Sequence, residues 1–279
     1  METFLYKLLT KDKQARIYLV DNTFLLNELE AYDFKSDIAS EVFYTVMTFC
    51  CILRGIMTNA KRITIKLETS DASAFLICGA EENGNIQGYA SDDLRENDFA
   101  DLKSMIGTSG CLKIIRDNGQ GTIFTGIVEI QCNNFSNNLA HYFTQSEQTK
   151  TTFRYFQNIQ NAMLSLSRGV LIQALPFAES TLMTEWENRI ESDAQAFTDP
   201  HISLDKLVET VFSDADIVER FPVRLMCTCS KEMILETLLG LGASDLQWTL
   251  KENQNIEVRC NKCGKIYGFD ADEIQRLLL

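Results

Sequence analysis

The sequence predicts an α+β protein: an N-terminal mixed α/β core domain, a helical acidic connector and a small cysteine-bearing C-terminal domain. Three observations carry this. Strand-like runs and one long apolar helix interleave through residues 1–176. Acidity is concentrated: residues 177–221 hold 3 Lys/Arg against 11 Asp/Glu, a net of −8 out of −13 for the chain, whereas residues 1–176 carry −4 and residues 222–279 carry −1. The last segment holds two close cysteine pairs, Cys227-Thr228-Cys229 and Cys260-Asn261-Lys262-Cys263, 30 residues apart. The expected division is 1–177, 178–225 and 226–279.

The first part is read in order. Ala15 to Asn22 is an apolar-rich strand. Ser36 or Asp37 caps a helix over Ile38 to Thr58, apolar on most sides and so buried. Strands follow at Arg62–Glu68, Ser73–Gly79 and Ile86–Ala90, the last two flanking Glu82-Asn83-Gly84-Asn85, because Asn-Gly is a strong hairpin signal. A second hairpin turns at Asp117-Asn118-Gly119, between Cys111–Arg116 and Thr122–Ile130. Asn137–Glu147 reads as a helix, and Thr151–Phe156 and Met163–Ala174 as strands that close the domain near Pro176.

The connector is amphipathic. Leu182, Trp186, Ile190 and Ala194 recur every four residues from a start near Ser180; Leu204, Leu207, Val208, Val211 and Phe212 share a face from a start near Ser203, with Asp199-Pro200 between. One reading docks both stripes on the core domain. The other makes the segment a conditional fold, kept soluble by its charge when undocked, with Leu182, Trp186 and Ile190 as candidate residues for gripping apolar partners.

Composition excludes several classes. At 45% hydrophobic residues, the chain of 279 buries a core and is not disordered throughout. A charge of −13 lacks the clustered Lys/Arg of a phosphate-tracking nucleic-acid binder. With only His141 and His201, His-rich metal sites are limited, and nine cysteines cannot all pair internally. The opening residues show no apolar core with a small-residue cleavage site, and the longest apolar stretch, Val42–Leu53, is shorter than the ~20 residues of a membrane span. The expectation is a cytoplasmic protein with reduced thiols and no membrane or nucleic-acid partner.

The four tail cysteines are the specific signal. Zinc takes four ligands in a tetrahedron, thiolates suit it, and each close pair supplies two adjacent corners. Gly264, directly after Cys263, permits the positive φ that a tight metal turn needs. Arg259, Lys262, Lys265 and Lys231 are placed to offset a four-thiolate site. Around the pairs, Ser230 caps a helix to Leu239, stopped by Gly240 and Gly242; Ser244-Asp245-Leu246-Gln247 is a capping box; Ile256, Val258, Ile266, Tyr267 and Phe269 form a hairpin; and Asp270 opens a last helix ending in Leu277-Leu278-Leu279. A piece this small has little core, so a metal is the expected staple, and the C-terminal part is expected to be a zinc-binding domain holding one Zn2+ in the reduced form. The metal is either permanently structural or a switch. A structural zinc holds roughly 10–16 kcal/mol, and a disulfide across so short a loop returns only about 2 kcal/mol.

These residues resemble the redox-regulated holdase chaperones, the 33 kDa chaperonin (heat-shock) family. The resemblance rests on Cys227-Thr228-Cys229-Ser230-Lys231-Glu232 and Cys260-Asn261-Lys262-Cys263 followed by Tyr267 and Phe269. It extends to Asn83-Gly84-Asn85-Ile86-Gln87-Gly88-Tyr89, to Leu139-Ala140-His141-Tyr142-Phe143 with Ser146-Glu147-Gln148, and to Gly169 through Pro176. The chain departs from the family pattern at Thr69–Ala74, where the family carries more glycine, and at 157–168, which lacks a turn signal. The resemblance implies an ATP-independent, non-enzymatic chaperone for unfolded client proteins under oxidative stress. It implies zinc on Cys227, Cys229, Cys260 and Cys263 when reduced. On oxidation it implies Cys227–Cys229 and Cys260–Cys263 disulfides, zinc release, unfolding of tail and connector, and a homodimer.

The alternative is a constitutive zinc-ribbon adaptor without redox switching. Its tail, with 7 basic against 8 acidic residues, has no electrostatic footprint for nucleic acid. A thiol oxidoreductase built on Cys260-x-x-Cys263 would place the pair at a helix start in a βαβ setting, and the hairpin context disfavours that. No nucleophile pattern accompanies the histidines, and no glycine cluster ends in a phosphate loop. Cys50, Cys51, Cys78, Cys111 and Cys132 lie outside the motif and are expected to be small buried hydrophobes.

Overall fold

β1 (Thr3–Thr10) and β2 (Ala15–Asp21) form an antiparallel hairpin within a ten-stranded sheet. The structure, a computed structural model, describes residues 2–29, 34–57, 60–131, 134–160, 163–239, 255–260 and 262–277. It divides into two units, Met1–Leu225 and Met226–Leu279.

The first unit continues with α1 (Thr23–Asn27), α2 (Asp37–Ile56), β3 (Arg62–Glu68), β4 (Phe75–Glu81), β5 (Asn85–Ala90), α3 (Asp92–Glu96) and α4 (Leu102–Ile106). Then come β6 (Cys111–Asp117), β7 (Ile123–Glu129), α5 (Phe135–Ser146), β8 (Thr151–Gln160), β9 (Met163–Ala174), α6 (Leu182–Ser192), α7 (Ala194–Thr198), α8 (Leu204–Thr210) and β10 (Ala215–Leu225). The strand order is β7-β6-β3-β4-β5-β10-β1-β2-β9-β8.

The predicted helix is α2. The Ser36 hydroxyl accepts from the Ala39 N–H, supplying the cap its sequence announces. By length and composition α2 could cross a membrane, but 72% of that window is buried against the sheet, beside Leu5, Tyr18, Val20, Ile65, Leu76 and Leu171. Its Gly55 is needed for contact: a Cβ there would sit 2.7 Å from Leu5 Cδ2. Both predicted hairpins form, β4–β5 and β6–β7, with Gly84 and Gly119 at positive φ. At Gly84 any Cβ would also fall 2.2 Å from the Pro222 carbonyl oxygen.

The opposite face of β1, β2 and β9 carries a second core. Tyr6, Leu8, Ile17, Leu19, Val170 and Ile172 point there, while their neighbours Leu5, Tyr18, Val20 and Leu171 face α2. Both faces are covered, so these strands read as continuous apolar runs rather than alternating ones. The cover is the acidic connector. Leu182, Trp186, Ile190, Phe197, Leu207, Val211 and Phe212 are buried in this second core, Trp186 stacking on Phe212 at 5.7 Å. The Ser203 hydroxyl caps α8 by accepting from the Lys206 N–H.

Two strands have no counterpart in the sequence reading. β1 is one: its apolar side chains divide between the two cores, which hides the period of two. β10 is the other: residues 215–225, expected to be the end of a helical connector, form a strand instead, although Pro222 argues against a central strand. The sheet accommodates it because β10 pairs with β1 along its length but meets β5 only at Arg224 and Leu225, so no second ladder needs the missing N–H at Pro222.

The second unit contains α9 (Lys231–Leu239), β11 (Ile256–Arg259), β12 (Ile266–Phe269) and α10 (Ala271–Leu277). β11 and β12 pair antiparallel, Val258 opposite Tyr267. Ser230 caps α9 through the Met233 N–H, and Asp270 and Glu273 cap α10 reciprocally. The predicted stop signals at Gly240 and Gly242, the capping box at Ser244–Gln247 and the terminal Leu278 and Leu279 lie outside the described residues.

Candidate metal centre

Two short backbone devices bring the four tail cysteines together. Cys260 directly follows β11 and its N–H donates to the Lys265 carbonyl at 2.8 Å, while the Gly264 N–H donates back to the Cys260 carbonyl at 2.9 Å with φ +75° at Gly264. This tight turn points Cys260 and Cys263 the same way, as the spacing predicts. Cys227 and Cys229 arrive from the stretch before α9.

All four sulfurs lie within 4.8 Å of one another, with Cys227 Sγ to Cys260 Sγ at 4.0 Å and Cys229 Sγ to Cys263 Sγ at 3.6 Å. A tetrahedron of thiolates around zinc, with bonds near 2.3 Å, has sulfur–sulfur edges of about 3.8 Å. The donor set and its spacing therefore fit a four-thiolate zinc site. Cys260 is buried, the other three are half-buried, and Leu238, Phe269 and Ile274 pack beside them.

The thiols also polarise one another. Cys227 is drawn down to about 5, chiefly by a hydrogen bond from Cys263, with the other two thiols helping against its burial. Cys263 is pushed up because it gives that bond. Burial raises Cys229, with the Tyr267 hydroxyl acting the other way. The cluster alone thus favours one thiolate, and four thiolates in so small a space call for a cation.

Tyr267 is the site residue that spacing alone missed as a participant. Its hydroxyl has two acceptors of Cys229 within hydrogen-bond distance, the carbonyl oxygen at 3.0 Å and Sγ at 3.1 Å. The sequence signal was present in the β12 alternation, which puts Tyr267 on the inner face with Phe269. One expectation is corrected: Lys231 does not serve the sulfurs, since its ammonium is held by both Glu273 oxygens at 2.6 and 2.8 Å.

The other candidate residues lie elsewhere. Leu182, Trp186 and Ile190 are 7%, 4% and 1% exposed, so the docked connector offers none of them to a partner. Cys50, Cys51 and Cys78 are fully buried in the main core, where desolvation pushes the Cys50 and Cys51 thiols up and keeps them protonated. Cys111 is half-buried on β6, and Cys132 lies outside the described residues.

Comparison with known proteins places this geometry among relatives. The model of the Hsp33 protein family matches residues 4–270. The 33 kDa chaperonin of Bacillus subtilis is 27% identical over 284 residues, covering 98% of this chain and 97% of that protein. That of Bacillus licheniformis is 25% identical, covering 98% of each. The crystal structure of the 33 kDa chaperonin from Thermotoga maritima superposes with a TM-score of 0.79 over 99% of this chain and 97% of that one, at 21% identity.

Proposed function

The chain belongs to the Hsp33 protein family, a chaperone family, and from that premise we propose that it is a redox-gated, ATP-independent holdase. Its clients are unfolding proteins in the cytoplasm under oxidative stress, and it has no enzymatic turnover. The observation that carries the reading is the set of four sulfurs within 4.8 Å on a unit of 54 residues.

When bound to Cys227, Cys229, Cys260 and Cys263, Zn2+ supplies the cross-link that so small a unit lacks. The rest of the mechanism belongs to the chain. A hydroperoxide accepts two electrons from each cysteine pair: two thiolates become one disulfide, and with two protons the hydroperoxide becomes one alcohol and one water, or two waters when it is hydrogen peroxide. Pairing Cys227 with Cys229 and Cys260 with Cys263 removes all four donors and closes two very short loops. Each returns about 2 kcal/mol, far below the roughly 10–16 kcal/mol of a structural zinc. The second unit then unfolds.

In this reading the conditional part of the 178–225 segment is 178–214, because 215–225 is knitted into the sheet as β10. Undocking bares Leu182, Trp186 and Ile190 together with the sheet face beneath them, two apolar surfaces of the kind an unfolding client fits. The same exposure favours a homodimer of the oxidised chain.

The experiment treats zinc-loaded reduced protein with hydroperoxide at raised temperature. It follows metal release, far-UV circular dichroism and suppression of client aggregation. Metal release, helix loss and protection should rise together. Metal retention, or release with no gain in protection, refutes the switch and leaves the structural zinc adaptor as the reading.

A further inference from the structure

The Tyr267 side chain crosses from β12 to the other cysteine pair. Its ring is 8% exposed, the Lys265 ammonium sits 5.1 Å over the ring centroid, and its hydroxyl lies 3.1 Å from Cys229 Sγ. A phenol has one proton to donate and two acceptors within reach here, the Cys229 carbonyl and the Cys229 sulfur. A ligating thiolate is a pure acceptor with a full charge, and charge-assisted hydrogen bonds are the stronger ones.

We propose that the Tyr267 hydroxyl is a positioning and damping residue for the switch: by hydrogen bonding to Cys229 Sγ it restrains that sulfur's attack on a hydroperoxide and so sets the oxidant dose at which the Cys227–Cys229 disulfide forms. The inference rests on reading the four cysteines as a metal-held redox switch. The step it slows is balanced. The Cys229 sulfur attacks one peroxide oxygen, the O–O bond breaks, and hydroxide or alkoxide leaves, giving a sulfenic acid. The Cys227 sulfur then attacks the sulfenyl sulfur, the S–O bond breaks, hydroxide leaves, and the S–S bond forms. Lone-pair density engaged by the phenol is not available in the first displacement, so reaction requires partial loss of that hydrogen bond. Cys260 and Cys263 belong to the same cluster, while the sulfur that the Tyr267 hydroxyl touches is that of Cys229, so the second pair serves as the internal control.

The test uses the full chain, reduced and zinc-loaded, as wild type and Tyr267→Phe. Hydroperoxide is added in excess, and thiol loss is read separately for each pair by isotope-coded alkylation and mass spectrometry. In parallel, metal transfer to a chelator is timed without oxidant, and the sulfur-to-metal charge-transfer band is recorded on cobalt-substituted protein. The expected result is initial loss of the Cys227/Cys229 pair about five- to tenfold faster in Tyr267→Phe, at or just below the low end of what outer-shell changes do at metal sites. The Cys260/Cys263 pair and the chelator rate should stay within about twofold, and the charge-transfer band should move to lower energy. Unchanged pair kinetics overturn the proposal. Chelator transfer accelerated by the same factor also overturns it, because the hydroxyl would then be only an anchor for the Cys229 backbone. A wild type that binds no zinc, or whose four cysteines survive peroxide, sinks the switch itself and this inference with it.

Discussion

Arg168 Nε donates to Asp21 Oδ2 at 2.7 Å, from a guanidinium only 2% exposed. Its Nη1 donates to the carbonyls of Phe197 and Asp199 at 3.3 and 3.0 Å, and Nη2 to that of Ile202. One buried cation on β9 thus ties the sheet to the α7–α8 passage of the connector by charge-assisted bonds to three of its carbonyls.

Replacing Arg168 by Met should loosen that passage. Removing one partner of a buried pair costs about 3–5 kcal/mol, and here it also takes a donor from the carbonyls of Phe197, Asp199 and Ile202. Limited proteolysis of the reduced, metal-loaded variant should cut between residues 194 and 203 at least tenfold faster than wild type, with metal stoichiometry unchanged. Equal cleavage rates would show that Arg168 does not hold the connector.

Trp186 gives the docked state an optical signature. It is 4% exposed, stacks on Phe212 and carries the Arg189 guanidinium 4.7 Å over its ring. In a Trp248→Phe background, oxidative activation should shift its emission to the red as the connector undocks. Trp186→Ala should lower stability by about 3–5 kcal/mol, read as a fall in the urea midpoint. An emission maximum that stays fixed while client protection rises would place activation elsewhere.

Legibility followed burial geometry. The caps at Ser36, Ser203 and Ser230, the hairpin glycines at 84 and 119 and the two cysteine pairs are local signals, and each sits where its chemistry requires. β1 and β10 escaped because their evidence is not local. β1 loses its alternation to cover on both faces, and β10 earns its place through a ladder with residues 200 positions away. Tyr267 was legible as a hairpin residue but not as a sulfur neighbour, since a side chain's reach across to a different loop depends on tertiary packing.

Disulfide pairing decides what oxidation does. Cys229 and Cys263 are already 3.6 Å apart, Cys227 and Cys260 4.0 Å. Bridges across the pairs would close loops of more than 30 residues and stabilise by about 4 kcal/mol each, locking the unit; bridges within pairs hold about 2 kcal/mol and release it. Peptide mapping of activated protein should find the within-pair bridges. Cross-pair bridges in the active form would refute the release mechanism. Replacing Cys229 and Cys260 together by Ser should abolish stable zinc retention and melt the second unit at any redox state.

Acid should weaken the first unit through Glu68. Lys113 first, then Lys66, hold its carboxylate down to about 2. A lowered folded value means the contribution is complete above the ordinary carboxyl range near 4.5 and fades as pH falls toward 2. Solvent screening of these partly exposed groups limits it to about 1 kcal/mol. Glu68→Gln should flatten the stability profile between pH 4.5 and 2 by that amount, and an unchanged slope would assign the acid loss to other carboxylates.

Both ends of the connector arrive at one turn. Ala174 pairs with Ala15 and Ala215 with Thr10, on either side of the β1–β2 bend. The roughly 40 residues between them, once undocked, are a ring pinned at two points about three strand spacings, or ~15 Å, apart, rather than a tail. A ring sweeps less volume than a free arm and keeps its apolar stripe at an effective concentration on the order of millimolar over the face it left. In the holdase proposed above, a client held on that face would compete with a tethered partner that never diffuses away.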